Sequence, residues 1–209
     1  MPASNCRNTA ELNPFRISAI EQLEWLPYPD TLESIHSKWR DTDYRAQLCG
    51  PHGAGKTTLS EHLANSARAE GIDVLSLFAN LQSGRCDFQG WDEQLEQAHQ
   101  DTIVLLDGFD HASWWQRRRW LSTRSRMLVT THKINRRLPV LLNMESHSNL
   151  LHSIVSRLLG EHDHHLLQPL LGADKGVALL QQSQGNLRDA LSLLFDRWQQ
   201  YQKVELQRC

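Results

Sequence analysis

The segment Gly50-Pro51-His52-Gly53-Ala54-Gly55-Lys56-Thr57 matches G-x-x-x-x-G-K-[ST], the pattern of phosphate-binding loops. A short, mostly apolar run at 46–49 precedes it and an amphipathic helical pattern follows it, which is the strand–loop–helix context that the motif requires. The glycines let backbone N–H groups turn inward around a di- or triphosphate, and the helix N-terminus adds the positive end of its dipole. The segment therefore predicts binding of a nucleoside phosphate.

The polar residues of this segment have separate expected roles. Lys56 supplies a charge for the β- and γ-phosphates, and the Thr57 hydroxyl is placed to ligate Mg²⁺. The chain has no Asn-Lys-x-Asp motif for reading guanine, so the predicted ligands are ATP or ADP with Mg²⁺. The other predicted binding residues are Gly50, Pro51, His52, Gly53, Ala54, Gly55 and Thr58.

The composition is that of an ordinary globular chain, with 209 residues, 40% of them hydrophobic, and a formal net charge of −2. This length suits one α/β domain with a small helical appendage. The charge argues against a strong general attraction to nucleic acid, and no apolar run approaches a membrane span, so no membrane partner is expected. The four cysteines are scattered without a C-x-x-C pair, which favours reduced thiols and a cytoplasmic location.

Apolar runs alternate with helical patterns in the middle of the chain, which favours a parallel sheet with right-handed crossovers. After the strand before the loop, further strands are predicted at 72–79, 102–106, 127–130 and 138–144, with a polar loop at 80–90. From His147 onward, leucines recur at helical spacing only. The predicted organisation is an N-terminal arm at 1–29, a nucleotide-binding core at 30–146 and a helical lid at 147–209.

A carboxylate ends the third predicted strand, at Leu105-Leu106-Asp107, which is the Walker B pattern. Asp107 is expected to hold Mg²⁺ directly or through water. Many ATPases of this class place an acid directly after this Asp to polarise the attacking water, but here Gly108 follows it. Asp110 is the nearest substitute as a general base. Capping of the following helix is an equally good interpretation of Asp110.

Two further segments contain candidate nucleotide-contacting residues. Val129-Thr130-Thr131-His132 ends the next strand, where Thr131 or His132 is placed to contact the γ-phosphate or the attacking water; the alternative is ordinary polar residues leaving a strand. In Gln184-Gly185-Asn186-Leu187-Arg188, Asn186 is a candidate helix cap and Arg188 lies in the first turn. A cation there opposes the helix dipole, which suggests a contact with phosphates, although a surface arginine is the alternative.

Together these segments resemble a compact AAA+ ATPase. The resemblance rests on the phosphate loop, the Asp107 strand, the Thr131 strand and Gly185-Asn186-Leu187-Arg188-Asp189-Ala190-Leu191 in a helical lid, and the segment 105–110 also looks like the NACHT-type Walker B of STAND signalling NTPases. It implies an α/β P-loop NTPase sheet with strand order 5-1-4-3-2, flanked by helices, with the nucleotide between the sheet and a small C-terminal lid whose arginine, Arg188, senses the nucleotide. The missing acid after Asp107 and the lack of an evident arginine finger imply slow hydrolysis.

A local block of positive charge stands out from the net-acidic chain. From His111 to Met144 there is no Asp or Glu, while arginines and tryptophans are frequent. The block is interpreted as a solvated basic face, a contact for nucleic acid, or a contact for a protein partner or a second copy of the chain. Its members are Arg117, Arg118, Arg119, Arg124, Arg126, Lys133, Arg136 and Arg137, with Trp114, Trp115 and Trp120.

Three functions remain open on the sequence alone. The first is an AAA+/STAND-like ATPase in which nucleotide state moves the lid and alters a partner surface. The second is a small-molecule kinase, for which Arg85 and Asp87 are the nearest acceptor-binding candidates. The third is a DNA-associated regulator or loader that uses the Arg117–Arg137 region.

Overall fold

The strands predicted from apolar runs form one five-stranded parallel sheet. The structure, a computed structural model, describes residues 13–208 apart from 24, 27–29, 83–84, 124–125, 161–163 and 175, and describes 80–82, 85, 123, 164 and 205–208 by their backbone alone. The strands are β1 (Arg45–Cys49), β2 (Val74–Phe78), β5 (Ile103–Asp107), β6 (Met127–Thr131) and β7 (Val140–Asn143). β6 is buried throughout, and only Asp107 of β5 is not, as is typical of strands covered on both faces.

The order of the strands is β2-β5-β6-β1-β7, and every pairing is parallel. Counted among themselves, these strands have the order 5-1-4-3-2, so the predicted α/β sheet is confirmed. The labels differ only because two hairpin strands come between the second and third strands of the sheet. In this order β1 and β5 both pair with β6, so the carboxyl ends of all three strands lie together at one edge.

The predicted polar loop at 80–90 is wrong in part. β3 (Asn80–Gln82) and β4 (Arg85–Asp87) form a short antiparallel hairpin there. Backbone pairing holds these strands without an apolar alternation, which is why the sequence pattern does not reveal them.

Four helices belong with the sheet: α2 (Leu32–Asp41), α3 (Lys56–Ala69), α4 (Trp91–Gln97) and α5 (Trp114–Thr123). The α3 helix buries Leu59, Leu63 and Ala67 at four-residue spacing, and each fully buried leucine contributes about 1.5–3 kcal/mol. Trp120 of α5 packs against Trp91 of α4 and against Phe109, which lies just after β5. Its indole N–H donates to Asp92 at 2.8 Å.

The remaining helices form a second hydrophobic core. They are α1 (Ile17–Glu21), α6 (Ser148–Leu159), α7 (Leu167–Leu171), α8 (Val177–Gln182) and α9 (Leu187–Arg208). Phe15 packs edge-on against Trp198 with ring centroids 6.2 Å apart, and the Asn13 amide donates to the carbonyl of Phe195. Among the described residues, no helix combines the length and apolar character that crossing a membrane requires.

The chain therefore divides into two compact units. The sheet unit comprises Pro27–Pro51 and Gly55–Met144, and the helical unit contains His52–Ala54 and Glu145–Cys209. The described residues of 13–26 group with the helical unit rather than forming an arm of their own, because Asn13 and Phe15 are anchored on α9. The three-segment division at 1–29, 30–146 and 147–209 remains a prediction.

Candidate functional site

The predicted phosphate loop connects β1 to α3. β1 ends at Cys49, the loop runs through residues 50–55, and Gly55 precedes the first helical residue, Lys56, in the left-handed conformation. The first helical hydrogen bond runs from the Leu59 N–H to the Gly55 carbonyl at 2.9 Å. Gly50, Pro51, His52, Gly53 and Ala54 thus precede the helix, and Lys56, Thr57 and Thr58 form its first turn.

The ammonium of Lys56 lies inside this loop. It donates to the carbonyls of Gly50 and Pro51, at 2.8 and 2.7 Å, and the residue is only 8% exposed. Burial lowers the pKa of Lys56 below its ordinary value, and the carboxylates of Asp107 and Asp110 offset only part of that effect. Among the described residues no carboxylate bonds this ammonium directly, so the cation is suited to an anionic ligand.

Asp107 is the last residue of β5, and its carboxylate accepts hydrogen bonds from two threonine hydroxyl groups. Its Oδ2 accepts from Thr57 Oγ1 at 2.8 Å, and its Oδ1 accepts from the hydroxyl of Thr130 at the end of β6. A threonine hydroxyl paired with a carboxylate provides the oxygen donors that Mg²⁺ prefers, so the residues present fit the predicted metal. Thr57 and Asp107, the two predicted ligands, are brought together.

Gly108, which directly follows Asp107, occupies a position where an acidic residue would not fit. Its φ is +78°, and a Cβ there would come 2.8 Å from the Cβ of Ala79. Its N–H donates to Thr130 Oγ1 at 2.9 Å, which ties the turn to β6. A glutamate at this position would meet both a strained backbone and a steric overlap. The turn instead leads into a 3-10 segment, Phe109–His111, which carries Asp110.

Asp110 forms a close pair with His132, the residue after β6. Its Oδ2 accepts from the His132 backbone N–H at 2.7 Å and lies 2.8 Å from the ring Nδ1. Burial alone would raise the pKa of Asp110, but the backbone and side-chain hydrogen bonds from His132 and the charge of the nearby histidines lower it overall. Asp110 Oδ1 is buried and has no hydrogen-bond partner among the described residues. Asp110 thus fixes the His132 ring rather than serving as an ordinary helix cap.

The two threonines that end β6 point to different partners. Thr131 is buried, and its hydroxyl donates to Gln47 Oε1 at 3.3 Å, while Gln47 also holds Asn135 in the loop after β6. The structure therefore does not bring the Thr131 hydroxyl to Asp107. Thr130, for which the sequence predicts no role of its own, makes that contact. The sequence signal for Thr130 is only its neighbouring position, because adjacent strand residues face opposite sides.

Arg188 lies in the helical unit, in the first turn of α9, with its side chain exposed. Asn186 caps this helix: its Oδ1 accepts from the N–H groups of Arg188 and Asp189, at 3.0 and 3.4 Å. Gly53, in the segment of the loop that groups with this unit, has a φ of +70°, and a side chain there would overlap Asn186. The loop tip and the start of α9 are therefore tightly packed together.

Some of the other predicted functional residues have local partners. Asp87 accepts from the N–H of Gln89 at 2.9 Å, so it closes a turn after β4, and the side chain of Arg85 lies outside the described residues. Within the basic block, Arg119 pairs with Asp92 and Glu96, and Arg126 pairs with Asp43. Arg124 also lies outside the described residues.

No protein-family model matches the chain, and neither does any curated protein sequence. Solved structures do resemble it, among them that of C. elegans PCH-2, with 13% sequence identity and a TM-score of 0.42. That similarity covers 82% of this chain and 68% of that chain. A likeness of this size carries no argument about activity, so function has to be inferred from the residues of the site.

Proposed function

We propose that the chain is a Mg²⁺-dependent ATP-binding protein of the AAA+/STAND-like type that hydrolyses ATP slowly and acts as a cytoplasmic switch. The observation that carries the proposal is twofold: the Lys56 ammonium is buried inside the loop, and the hydroxyl of the next residue, Thr57, donates to Asp107 at the carboxyl edge of the sheet. A polyphosphate would take over the Lys56 hydrogen bonds that the Gly50 and Pro51 carbonyls now accept. Mg²⁺ bound by Thr57 and Asp107 would neutralise phosphate charge.

Slow hydrolysis is proposed from the arrangement around Asp110. No carboxylate directly follows Asp107, and the next acid along the chain, Asp110, is engaged by the backbone N–H and the ring of His132. We assign the His132 ring as the group closest in character to a general base and Asp110 as its positioning residue. An imidazole oriented by a carboxylate is a recurrent arrangement for accepting a proton from a nucleophile.

The ligand is tested by calorimetric titration with ATP and GTP, with Mg²⁺ and with EDTA. We expect ATP to bind more tightly than GTP, and Mg²⁺ to strengthen ATP binding. Asp107→Asn is expected to reduce that Mg²⁺ effect by about 10-fold or more, because changes even at outer-shell metal partners cost this much. The control is Asp101→Asn, the same change at an exposed carboxylate. Undiminished Mg²⁺ dependence in Asp107→Asn would refute the metal assignment, and absence of binding by the parent would refute the function.

The proposed switch rests on the tip of the phosphate loop, His52–Ala54. These residues group with the helical unit, and Gly53 packs against Asn186 at the start of α9. A change in the loop on nucleotide binding would therefore reach the start of α9, where Arg188 is the proposed sensor of the γ-phosphate. The surface altered in this way would then bind a protein partner or a second copy of the chain.

Arg188→Gln is expected to reduce the preference for ATP over ADP by about 5-fold or more, the lower range of site-to-site coupling. Hydrogen exchange at residues 187–191 should slow more with Mg-ATP than with Mg-ADP in the parent protein, and equally with both in the variant. Lys203→Gln, an exposed change on the same helix, is the matched control. Equal protection by ATP and ADP in the parent would argue against a switch.

A further inference from the structure

A cavity of about 630 Å³ lies in the sheet unit beside the candidate site. Its walls come from the 3-10 segment at 109–111, from α5, and from the end of β6 with the loop that follows it. Five basic side chains line it: Arg117, Arg118, Lys133, Arg136 and Arg137. Asp110 is the one carboxylate among its lining residues, and His132 already occupies the Oδ2 of that carboxylate.

These five cations are not neutralised within the part of the chain that the structure describes. None of them takes part in an ion pair there, whereas Arg119 on the same helix binds Asp92 and Glu96. The Nε of Arg117 is buried and has no hydrogen-bond partner among the described residues. Buried N–H donors are normally hydrogen-bonded, and an anionic ligand in the cavity would supply the acceptor for this one. The cavity is thus a concentrated positive site on a chain with a net charge of −2.

Aromatic surface accompanies this charge. Trp114, which lines the cavity, is 51% exposed, and Trp115 beside it is 74% exposed. Their rings meet edge-to-face with centroids 4.5 Å apart, and the Arg118 guanidinium lies 5.7 Å from the centroid of Trp114. Exposed indoles of this size offer flat faces for stacking, which carboxylate side chains of an acidic peptide cannot use.

We infer that this cavity binds single-stranded nucleic acid, with the arginines on phosphates and Trp114 and Trp115 stacked on bases. A single strand presents both a closely spaced polyanion and free base faces, so it matches the two features together. A duplex keeps its base faces inside the stack and would use only the charges. The inference goes beyond the proposed nucleotide function and does not depend on it.

The test is fluorescence anisotropy, without added nucleotide, using labelled oligothymidylate and oligouridylate of about 15 nucleotides, which is within the range of single-strand sites. Competitors are the corresponding duplex and a polyglutamate peptide. We expect binding to the single strands in preference to both competitors. Arg117→Gln and Arg118→Gln should each weaken binding and reduce the salt slope by about 0.7.

Substitutions of Trp114 distinguish the contribution of base stacking from that of charge attraction. Trp114→Ala is expected to weaken binding about 5-fold or more with the salt slope unchanged, and Trp114→Phe to restore most of it. Arg119→Gln, on the same helix but ion-paired, is the matched control and should have little effect. Equal affinity for the duplex, preference for the peptide, or binding that is indifferent to Arg117, Arg118 and Trp114 would each overturn the inference. Thermal unfolding of every variant verifies that the fold is retained.

Discussion

Lys56→Met is expected to abolish nucleotide binding while leaving the nucleotide-free protein at least as stable as the parent. The loss follows because the ammonium is the cation inside the phosphate loop. At a ligand concentration of 100 times the Kd, binding stabilises a protein by about 2.7 kcal/mol. For a chain of this size that corresponds to a rise in Tm of about 5–10 °C, which the parent should show with Mg-ATP and the variant should not.

The stability of the nucleotide-free variant follows from the sign of the Lys56 pKa shift. Burial lowers that pKa below its ordinary value of 10.5, so the unfolded chain holds the proton more tightly than the folded one. The charged lysine therefore costs stability at neutral pH, and the cost diminishes as the pH rises toward 10.5. Methionine fills similar space without a charge, so its advantage should shrink over the same pH range.

Differential scanning fluorimetry from neutral pH to about pH 10, with and without Mg-ATP, checks both parts of this prediction. Lys38→Met removes an exposed lysine of the same unit, which bonds Asp30 at 3.1 Å, and should keep the full nucleotide shift. A nucleotide shift that persists in Lys56→Met would disprove the role of the loop. A variant markedly less stable than the parent without nucleotide would show that Lys56 mainly supports the loop.

The sheet could be predicted from the chain because buried strands and a phosphate loop leave strong local patterns. The runs around Asp107 and Thr131 are apolar and short, as parallel strands require. The strand order came from the resemblance to a family rather than from periodicity, and the sheet confirms it. The hairpin at 80–87 escaped prediction because it is polar and short, and backbone pairing alone determines it.

Within the site, the sequence located the strand ends but not the directions of their side chains. Alternation places Thr130 and Thr131 on opposite faces without saying which face meets Asp107, and the pairing of β5 with β6 selects Thr130. From the sequence alone, Gly108 indicates only that the usual acid after Asp107 is absent. The structure adds the reason, because its positive φ and its closeness to Ala79 favour glycine at this position. The packing of Phe15 on Trp198 joins distant parts of the chain and leaves no local signal at all.

The pair formed by Asp110 and His132 leads to the second large expected effect. If these residues activate water together, Asp110→Asn and His132→Gln should each reduce ATP turnover by about 100-fold or more, the usual size of general-base catalysis. The double variant should be little worse than either single one, because residues that act as a unit are not additive. Turnover is measured by phosphate release at saturating Mg-ATP, so that a change in binding does not contribute.

The pH dependence of stability that Asp110 confers helps to distinguish a catalytic role from a purely structural one. The pKa of Asp110 lies below its ordinary value of 3.8, so its contribution is present above that value and is lost as pH falls through the lowered folded pKa. Asp110→Asn should therefore be less stable by about 1.5–3 kcal/mol at neutral pH, the range for a hydrogen bond to a charged group, and the deficit should vanish in strong acid.

Asp73→Asn, an exposed carboxylate before β2, should change neither stability nor turnover and is the matched control. The two readouts then separate three cases. Loss of turnover together with the acid-dependent stability deficit supports an Asp110–His132 pair that orients the base. A stability deficit with parental turnover would mean that Asp110 only holds the loop after β6 and that water is activated elsewhere. Normal stability with lost turnover would contradict the two hydrogen bonds from His132, because breaking them cannot be free of cost in a half-buried site.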